Sequence, residues 1–298
     1  MRIELEWSGA ADDMMIALHA RRSAASIARF AAVYPHRPLV LALTGTDLYR
    51  DIRSDPQAQN SLALAKRLVV LQAEGLCELS AAQSAKAVVI YQSARFLAPG
   101  RRSRRHFDLA LVGHQRPEKD PLTAVQALLR LPAQLPVRLF HIGAALDPAL
   151  AAEVAALGAG DSRYHWLGPL SQAATRQRIK RCHLLLLPSR MEGGANVLIE
   201  AVTSGVPVLG SDIPGNCGML GAGYPGWFPV GDPERLAELI VRAVRDPGYY
   251  ALLAAHCAER VSLFSPAAEC AGVCSLLEHE VSVEADVGLI DVKRSGRN

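Results

Sequence analysis

Short runs of leucine and β-branched residues alternate along this chain with longer, alanine-rich stretches whose apolar residues recur at helical spacing. Runs at residues 14–18, 39–43, 68–71 and 88–91 come first. After a stretch at 98–105 bearing proline and arginine, the alternation restarts at 107–112, 137–142, 165–167, 183–187 and 207–210. A strand buried on both faces has no polar side to show, so continuous apolar runs separated by amphipathic helices predict parallel sheets covered by helices. The expected fold class is α/β, with two doubly wound Rossmann-like domains facing a cleft.

Helical patterns over 233–245, 249–261 and 266–279 close the chain, and the polar stretch that follows reads as a tail. The expected divisions are a first domain at 1–97, a linker at 98–105, a second domain at 106–262, a helix at 263–280 packing back on the first domain, and a tail at 281–298. Ile3, Leu5 and Trp7 alternate with Glu4 and Glu6 and read as an opening strand. With no βα unit ahead of that strand, the first domain is expected to be short by one.

Composition narrows the function classes. The chain has 298 residues, 50% hydrophobic and 20% charged, enough for sizeable buried cores. Its apolar runs fall well below the roughly 18 residues of a membrane span, so none is expected. Residues 1–13 carry Glu4, Glu6, Asp12 and Asp13 where a secretory signal needs a basic start and an apolar core, which predicts a cytoplasmic protein. The six cysteines form no C-x-x-C pair and are expected as reduced thiols filling the core. A net charge of +3 argues against a broad nucleic-acid-binding face and leaves small molecules as the expected partners. Arg101, Arg102, Arg104 and Arg105 read as a solvated linker. His141 and His165 fall inside apolar strand patterns and are expected as satisfied core histidines. No G-x-G-x-x-G follows the first strand of either domain, which argues against a dinucleotide-dependent oxidoreductase.

The densest chemistry lies in Pro188-Ser189-Arg190-Met191-Glu192-Gly193-Gly194-Ala195-Asn196-Val197-Leu198-Ile199-Glu200-Ala201. A buried strand ends, two glycines bare the backbone, and a helix is expected to begin near Ala195. Such a helix start offers free N–H groups to a diphosphate, with Gly193 and Gly194 permitting close approach. Glu192 and Glu200, one in the loop and one in the helix, are expected to meet different parts of one extended ligand. A second segment, Gly113-His114-Gln115-Arg116-Pro117-Glu118-Lys119-Asp120-Pro121, follows the first strand of the second domain. Cations there can neutralise a departing nucleotide diphosphate without a metal ion.

Together these segments resemble the retaining GT-B glycosyltransferases with a Glu-x7-Glu motif, over residues 107–261. The resemblance implies that Glu192 contacts the transferred sugar, that Glu200 holds the ribose hydroxyls, and that Lys119 is the family lysine. Ser189, Gly193, Gly194, Ala195 and Asn196 complete the donor loop. Where that family carries arginine just after the glycine, this chain has His114, and Arg116 stands two places on, either supplying the missing charge or pairing with Glu118 on the surface.

A narrower resemblance rests on Ala17-Leu18-His19-Ala20-Arg21-Arg22-Ser23-Ala24, Leu43-Thr44-Gly45-Thr46-Asp47-Leu48-Tyr49, the Gly113–Pro121 and Met191–Val197 segments above, and Gly215-Asn216-Cys217-Gly218-Met219-Leu220-Gly221. These look like the selenosugar synthases of selenoneine biosynthesis. That resemblance implies a UDP-hexose donor, notably UDP-N-acetylglucosamine, a selenophosphate acceptor, and no cofactor or metal beyond the substrates. His19, Arg21 and Arg22 follow a strand at the edge where α/β domains bind ligands. The two arginines either hold the acceptor's phosphate or lie solvated on a first helical turn. Thr46 and Asp47 either shape the acceptor pocket or cap the next helix. Two other functions fit the donor motif: hexose transfer to a lipid or saccharide, and sugar-nucleotide binding without catalysis. The sequence leaves the hexose, the anomeric outcome and the oligomeric state open.

Overall fold

A computed structural model of the chain describes residues 1–278; the expected tail at 281–298 and the end of the 263–280 segment lie outside the described residues. The strands are β1 (Met15–Leu18), β2 (Leu39–Ala42), β3 (Arg67–Val70), β4 (Ala87–Val89), β5 (Phe107–Val112), β6 (Val137–Ile142), β7 (Tyr164–Trp166), β8 (Leu184–Leu187), β9 (Val208–Ser211) and β10 (Trp227–Phe228). The helices are α1 (Ala24–Val33), α2 (Ile52–Ser54), α3 (Pro56–Leu64), α4 (Ala81–Ser84), α5 (Pro121–Arg130), α6 (Pro148–Gly158), α7 (Gln172–Ile179), α8 (Asn196–Val202), α9 (Pro214–Leu220), α10 (Pro233–Arg245), α11 (Pro247–Arg260) and α12 (Pro266–Glu278). Every strand pairing is parallel, as the apolar runs require.

The first sheet runs β1-β2-β3-β4 and the second β10-β9-β8-β5-β6-β7. In the second, the chain starts at the central β5, moves outward through β6 and β7, then crosses back to β8 and moves the other way. The strand order therefore reverses between β5 and β8, where Leu111 pairs with Leu186. Loops leaving two such strands diverge to opposite faces and open a crevice at their carboxyl ends. That crevice receives the Gly113–Pro121 segment from β5 and the Pro188–Gly194 segment from β8.

Helix entries follow from local chemistry. Asp147, Asp232 and Asp246 each accept backbone N–H bonds ahead of a proline at the first helical position of α6, α10 and α11. The last helix, α12, lays Leu276 and Val273 on Val40, Ala42, Val69 and Ile90 of the first sheet. Among the described residues no single helix is long and apolar enough to cross a membrane.

Three expectations need correction. Residues 3–7 form no strand: Ile3 and Leu5 are exposed, and Trp7 alone is buried, its ring 5.4 Å from Phe30 and 6.0 Å from Tyr34. Trp7 N donates to Ser26 Oγ at 3.0 Å and Nε1 to Asp12 Oδ2 at 3.1 Å. A strand needs a ladder partner, and among the described residues β1 pairs only with β2, so one aromatic anchor holds this segment instead. The linker arginines are not uniformly solvated, because Arg102 donates to Tyr250 Oη and Gly205 O, both at 2.6 Å. Nor do all cysteines fill the core: Cys182 and Cys257 are buried, Cys77, Cys270 and Cys274 are exposed, and all six are free. Burial pushes the Cys182 thiol up to about 12 and Cys257 up to about 11.

His141 meets its expectation. Its Nε2 donates to Gly113 O at 3.3 Å, so Nδ1 accepts from Tyr164 Oη at 2.8 Å. Burial lowers its pKa to about 4. His165 is half-buried and stacks on Phe140.

Candidate active site

The loop after β5 is shaped by two backbone constraints. Gly143 closes against it so tightly that an added Cβ would lie 1.9 Å from Gly113 O. A short 3-10 turn, Pro117–Lys119, then ends at Asp120, a non-glycine residue at φ +42°. Such a conformation persists only where the surroundings enforce it. Here Arg190 pairs with Asp120 Oδ2 at 2.9 Å, and Thr123 Oγ1 donates to the same oxygen at 2.9 Å.

The loop after β8 is stitched to this turn. Arg190 N donates to Glu118 O at 2.8 Å, and Lys119 Nζ donates to Glu192 Oε1 at 2.6 Å. Ser189 Oγ donates to the same Glu192 oxygen at 2.7 Å, while Ser211 Oγ donates to Ser189 O at 2.5 Å. Glu192 is thus a buried carboxylate with a half-buried ammonium and a hydroxyl converging on one oxygen. Lys119, Glu192 and Ser189 form one cluster at the strand-order reversal.

Glu200 lies apart on α8. It is buried and accepts from Gln172 Nε2 at 3.0 Å, at the first residue of α7. Gln172 was not anticipated, although its place just after β7 puts it on the same carboxyl edge. Ala195 caps α8 without a side-chain bond, and Asn196 is exposed. His114 is exposed and tied to the loop after β6, its Nδ1 accepting from Ala144 N at 3.0 Å. Arg116 is half-buried and its Nε has no hydrogen-bond partner among the described residues; of its two readings, the pairing with Glu118 is not seen, and the Glu118 carboxylate faces Arg50 instead.

The two glycines of the donor loop meet protein. A Cβ on Gly193 would lie 2.3 Å from Thr44 O and 2.6 Å from Gly45 N, and one on Gly194 would lie 2.8 Å from Leu71 Cβ. The loops after β2 and β3 of the first sheet therefore press directly on the donor loop.

A third cluster occupies that first-sheet edge. His19, at φ +73°, receives Arg22 N on Nδ1 at 3.3 Å, so its Nε2 donates to Thr46 Oγ1 at 2.9 Å. Burial holds its pKa below the usual histidine range, against the opposing pull of Asp47. Asp47 is fully buried and accepts from Thr44 N, Thr44 Oγ1 and Ala20 N, each at 2.8 Å. It opens a π-helical turn, Asp47–Asp51, whose other end brings Asp51 to 3.9 Å from His19 Nε2. Arg21 pairs with Asp51 at 3.0 Å, whereas Arg22 is exposed and forms no ion pair among the described residues. Asp51 and Arg50 escaped the sequence reading; a π-helical turn has no sequence signature of its own.

A family model for glycosyl transferases group 1 matches residues 100–260. The chain belongs to the group 1 glycosyltransferases. Among solved structures it is similar to Alr3699/HepE of Anabaena, determined with UDP and glucose, at 18% identity and a TM-score of 0.74 over 90% of this chain and 78% of that one. It is similar also to the sucrose-phosphate synthase of Thermosynechococcus elongatus, at 18% identity and a TM-score of 0.72 over 91% and 74%. The pneumococcal O-GlcNAc transferase GtfA, solved with UDP and GlcNAc, matches at 19% and a TM-score of 0.71 over 85% of this chain and 55% of that one. At these identities the likenesses establish the fold, which is that of the GT-B glycosyltransferases.

Proposed function

We propose that this group 1 glycosyltransferase takes a hexose from a UDP-hexose, UDP-N-acetylglucosamine foremost, and passes it to selenophosphate. The observation that carries this reading is the contact between Gly193 and Thr44–Gly45, which joins the Lys119–Glu192 cluster to an acceptor edge built from His19, Arg21, Thr46 and Asp47. A small anionic acceptor suits a cation-lined edge at that distance from the donor loop; a lipid or glycan would need a groove. The UDP complexes of the similar structures support the choice of donor.

In this reading Glu200, with Gln172, takes the ribose hydroxyls, and the donor loop from Ser189 through Gly193, Gly194, Ala195 and Asn196 receives the diphosphate and sugar. Glu192 orients the transferred sugar. Lys119 moves from Glu192 towards the diphosphate, with Arg116 and His114 at the same edge, so that fixed cations stabilise the departing charge without a divalent metal. Selenium attacks the anomeric carbon as the bond to UDP oxygen breaks, and UDP leaves with the electron pair. Water then cleaves the phosphorus–selenium bond, releasing phosphate and leaving a selenol on the sugar. The six free thiols accord with a cytoplasmic setting.

Mass spectrometry of products from UDP-N-acetylglucosamine with and without selenophosphate tests this. A selenium-containing hexose and one equivalent of UDP are expected only when both substrates are present. A glycosylated alcohol or lipid, with no selenium product, would overturn the acceptor assignment and leave the glycosyltransferase.

A further inference from the structure

Resting on that reading of an anionic acceptor, we infer that Asp51 holds Arg21 and Arg50 as a two-armed cradle for a tetrahedral oxyanion, and that Arg50 rather than Arg22 is the second arm. Arg21 Nε lies 3.0 Å from Asp51 Oδ2, and Arg50 Nε lies 3.0 Å from Oδ1. One carboxylate thus faces both guanidinium groups at Nε, accepting a hydrogen bond from Arg50 on Oδ1 and pairing with Arg21 at Oδ2 by charge, out of line for a hydrogen bond. A guanidinium held at Nε keeps its terminal nitrogens directed away from the anchor, and both arginine side chains are about half exposed, at 46% and 51%. Fixing the side chains in advance removes much of the ordering cost that two free arginines would carry on binding.

Burial sorts these charges and leaves the cations on the solvent side. Asp51 is 5% exposed and Asp47 is fully buried with three hydrogen bonds, so the carboxylates face inward while the guanidinium edges face out. The π-helical turn makes this possible, since it sets Asp47 and Asp51 side by side at 3.8 and 3.9 Å from His19 while leaving Arg50 on the rim. π-helical turns recur at functional sites. Arg22, by contrast, has its backbone tied to His19 and its side chain in solvent.

Arg50 also reaches across to the second half of the protein. Its Nη1 stands 4.0 Å from Glu118 Oε1, at the limit of an ion pair, and Glu118 immediately precedes Lys119. An oxyanion on Arg50 therefore sits beside the lysine that faces the donor, where an acceptor must be. Glu118 competes with that oxyanion for Arg50.

Calorimetric titration of the full chain with inorganic phosphate, alone and in the presence of UDP, tests the cradle. Arg50→Gln is expected to weaken phosphate binding about tenfold or more, as loss of one charge-assisted contact does. Arg50→Lys should recover part of it, because charge is kept and the fork is lost. Glu118→Gln should tighten phosphate roughly two- to fivefold by releasing Arg50. Arg53→Gln, whose side chain pairs with Glu78 two residues beyond the cradle, serves as the neighbouring control and should shift it less than about twofold. Melting temperature and UDP affinity report folding for each variant, and Arg50→Lys carries the test if Arg50→Gln unfolds. Phosphate affinity unchanged in folded Arg50→Gln or Arg50→Lys, or a loss confined to Arg22→Gln, would overturn the cradle. If the unmodified enzyme made no selenium product yet bound phosphate through Arg50, the selenophosphate reading would fall and the cradle would stand.

Discussion

Exchanging the charges of the Lys119–Glu192 pair separates a structural tie from a catalytic one. At 2.6 Å the gross attraction at an effective dielectric of about 20 is roughly 6 kcal/mol. Glu192 is only 8% exposed at its side chain, so desolvation offsets most of that, and a charge-assisted contact of this kind nets about 2 kcal/mol. Lys119→Glu or Glu192→Lys alone replaces attraction with like-charge repulsion and should cost at least that much, a fall of about 4–8 °C in melting temperature for a domain of this size. Combining the two restores opposite charges at the same spacing, and stability should return by more than half. Turnover should not return. The ammonium would then sit on the donor loop and the carboxylate beside the diphosphate, and loss of a fixed charge facing the leaving group costs about 100-fold or more. Differential scanning fluorimetry and UDP release, measured on both single variants and the pair, make the comparison. Recovery of turnover together with stability would show that the pair only ties two loops, and the leaving-group charge would have to come from elsewhere.

Glu200→Ala should weaken UDP binding by about 1–3 kcal/mol, roughly five- to 150-fold, through loss of a charged acceptor; unchanged affinity by calorimetry would remove Glu200 from the donor site. Turnover should survive excess EDTA, and complete loss restored by magnesium or manganese would refute a leaving group stabilised by fixed cations without a metal. His141, at about 4 in the fold against an ordinary value of 6.5, binds its proton less readily folded than unfolded. Its contribution is therefore present above pH 6.5 and lost as pH falls towards 4, at up to about 1.4 kcal/mol per unit. Urea melts at pH 7 and pH 5 should show that loss, and His141→Gln should flatten it; an equal slope in both proteins would contradict the assignment.

What was legible in the sequence was whatever burial on both faces writes into a strand. β2 and β8 are buried at every position, and their runs of Leu, Val and Ala stand out for that reason. β10 has two residues and leaves no period to detect. The alternation of Ile3, Leu5 and Trp7 misled because pattern reports which side chains could share a face, whereas a strand also needs a neighbour. At the donor loop the glycine pair, the serine and both glutamates were visible as a motif, and the structure adds Gln172 from α7 and a tie from Arg190 of the loop itself to Asp120. At the acceptor edge two adjacent arginines looked equivalent. Asp51 distinguishes them, by pairing with Arg21 while Arg22 forms no ion pair among the described residues.

The glycines of this protein make the same point about what motif alone can carry. Gly193 and Gly194, which the motif reads as baring the backbone for a diphosphate, also meet protein, with Thr44 O, Gly45 N and Leu71 Cβ beside their missing side chains. Gly215 and Gly218 behave alike: a Cβ on the first would lie 1.8 Å from Glu192 O, and one on the second 1.7 Å from Gln72 Oε1. Tyr91 Oη, just beyond the first sheet, donates to Gly218 O at 3.1 Å. Four glycines thus line a seam in which the donor loop is held between α9 and the loops of the first sheet, Gly193 and Gly215 against backbone, Gly194 and Gly218 against the side chains of Leu71 and Gln72. A side chain at Gly193 would displace Thr44, whose amide and hydroxyl both bond Asp47, so the donor loop and the acceptor edge share one packing constraint.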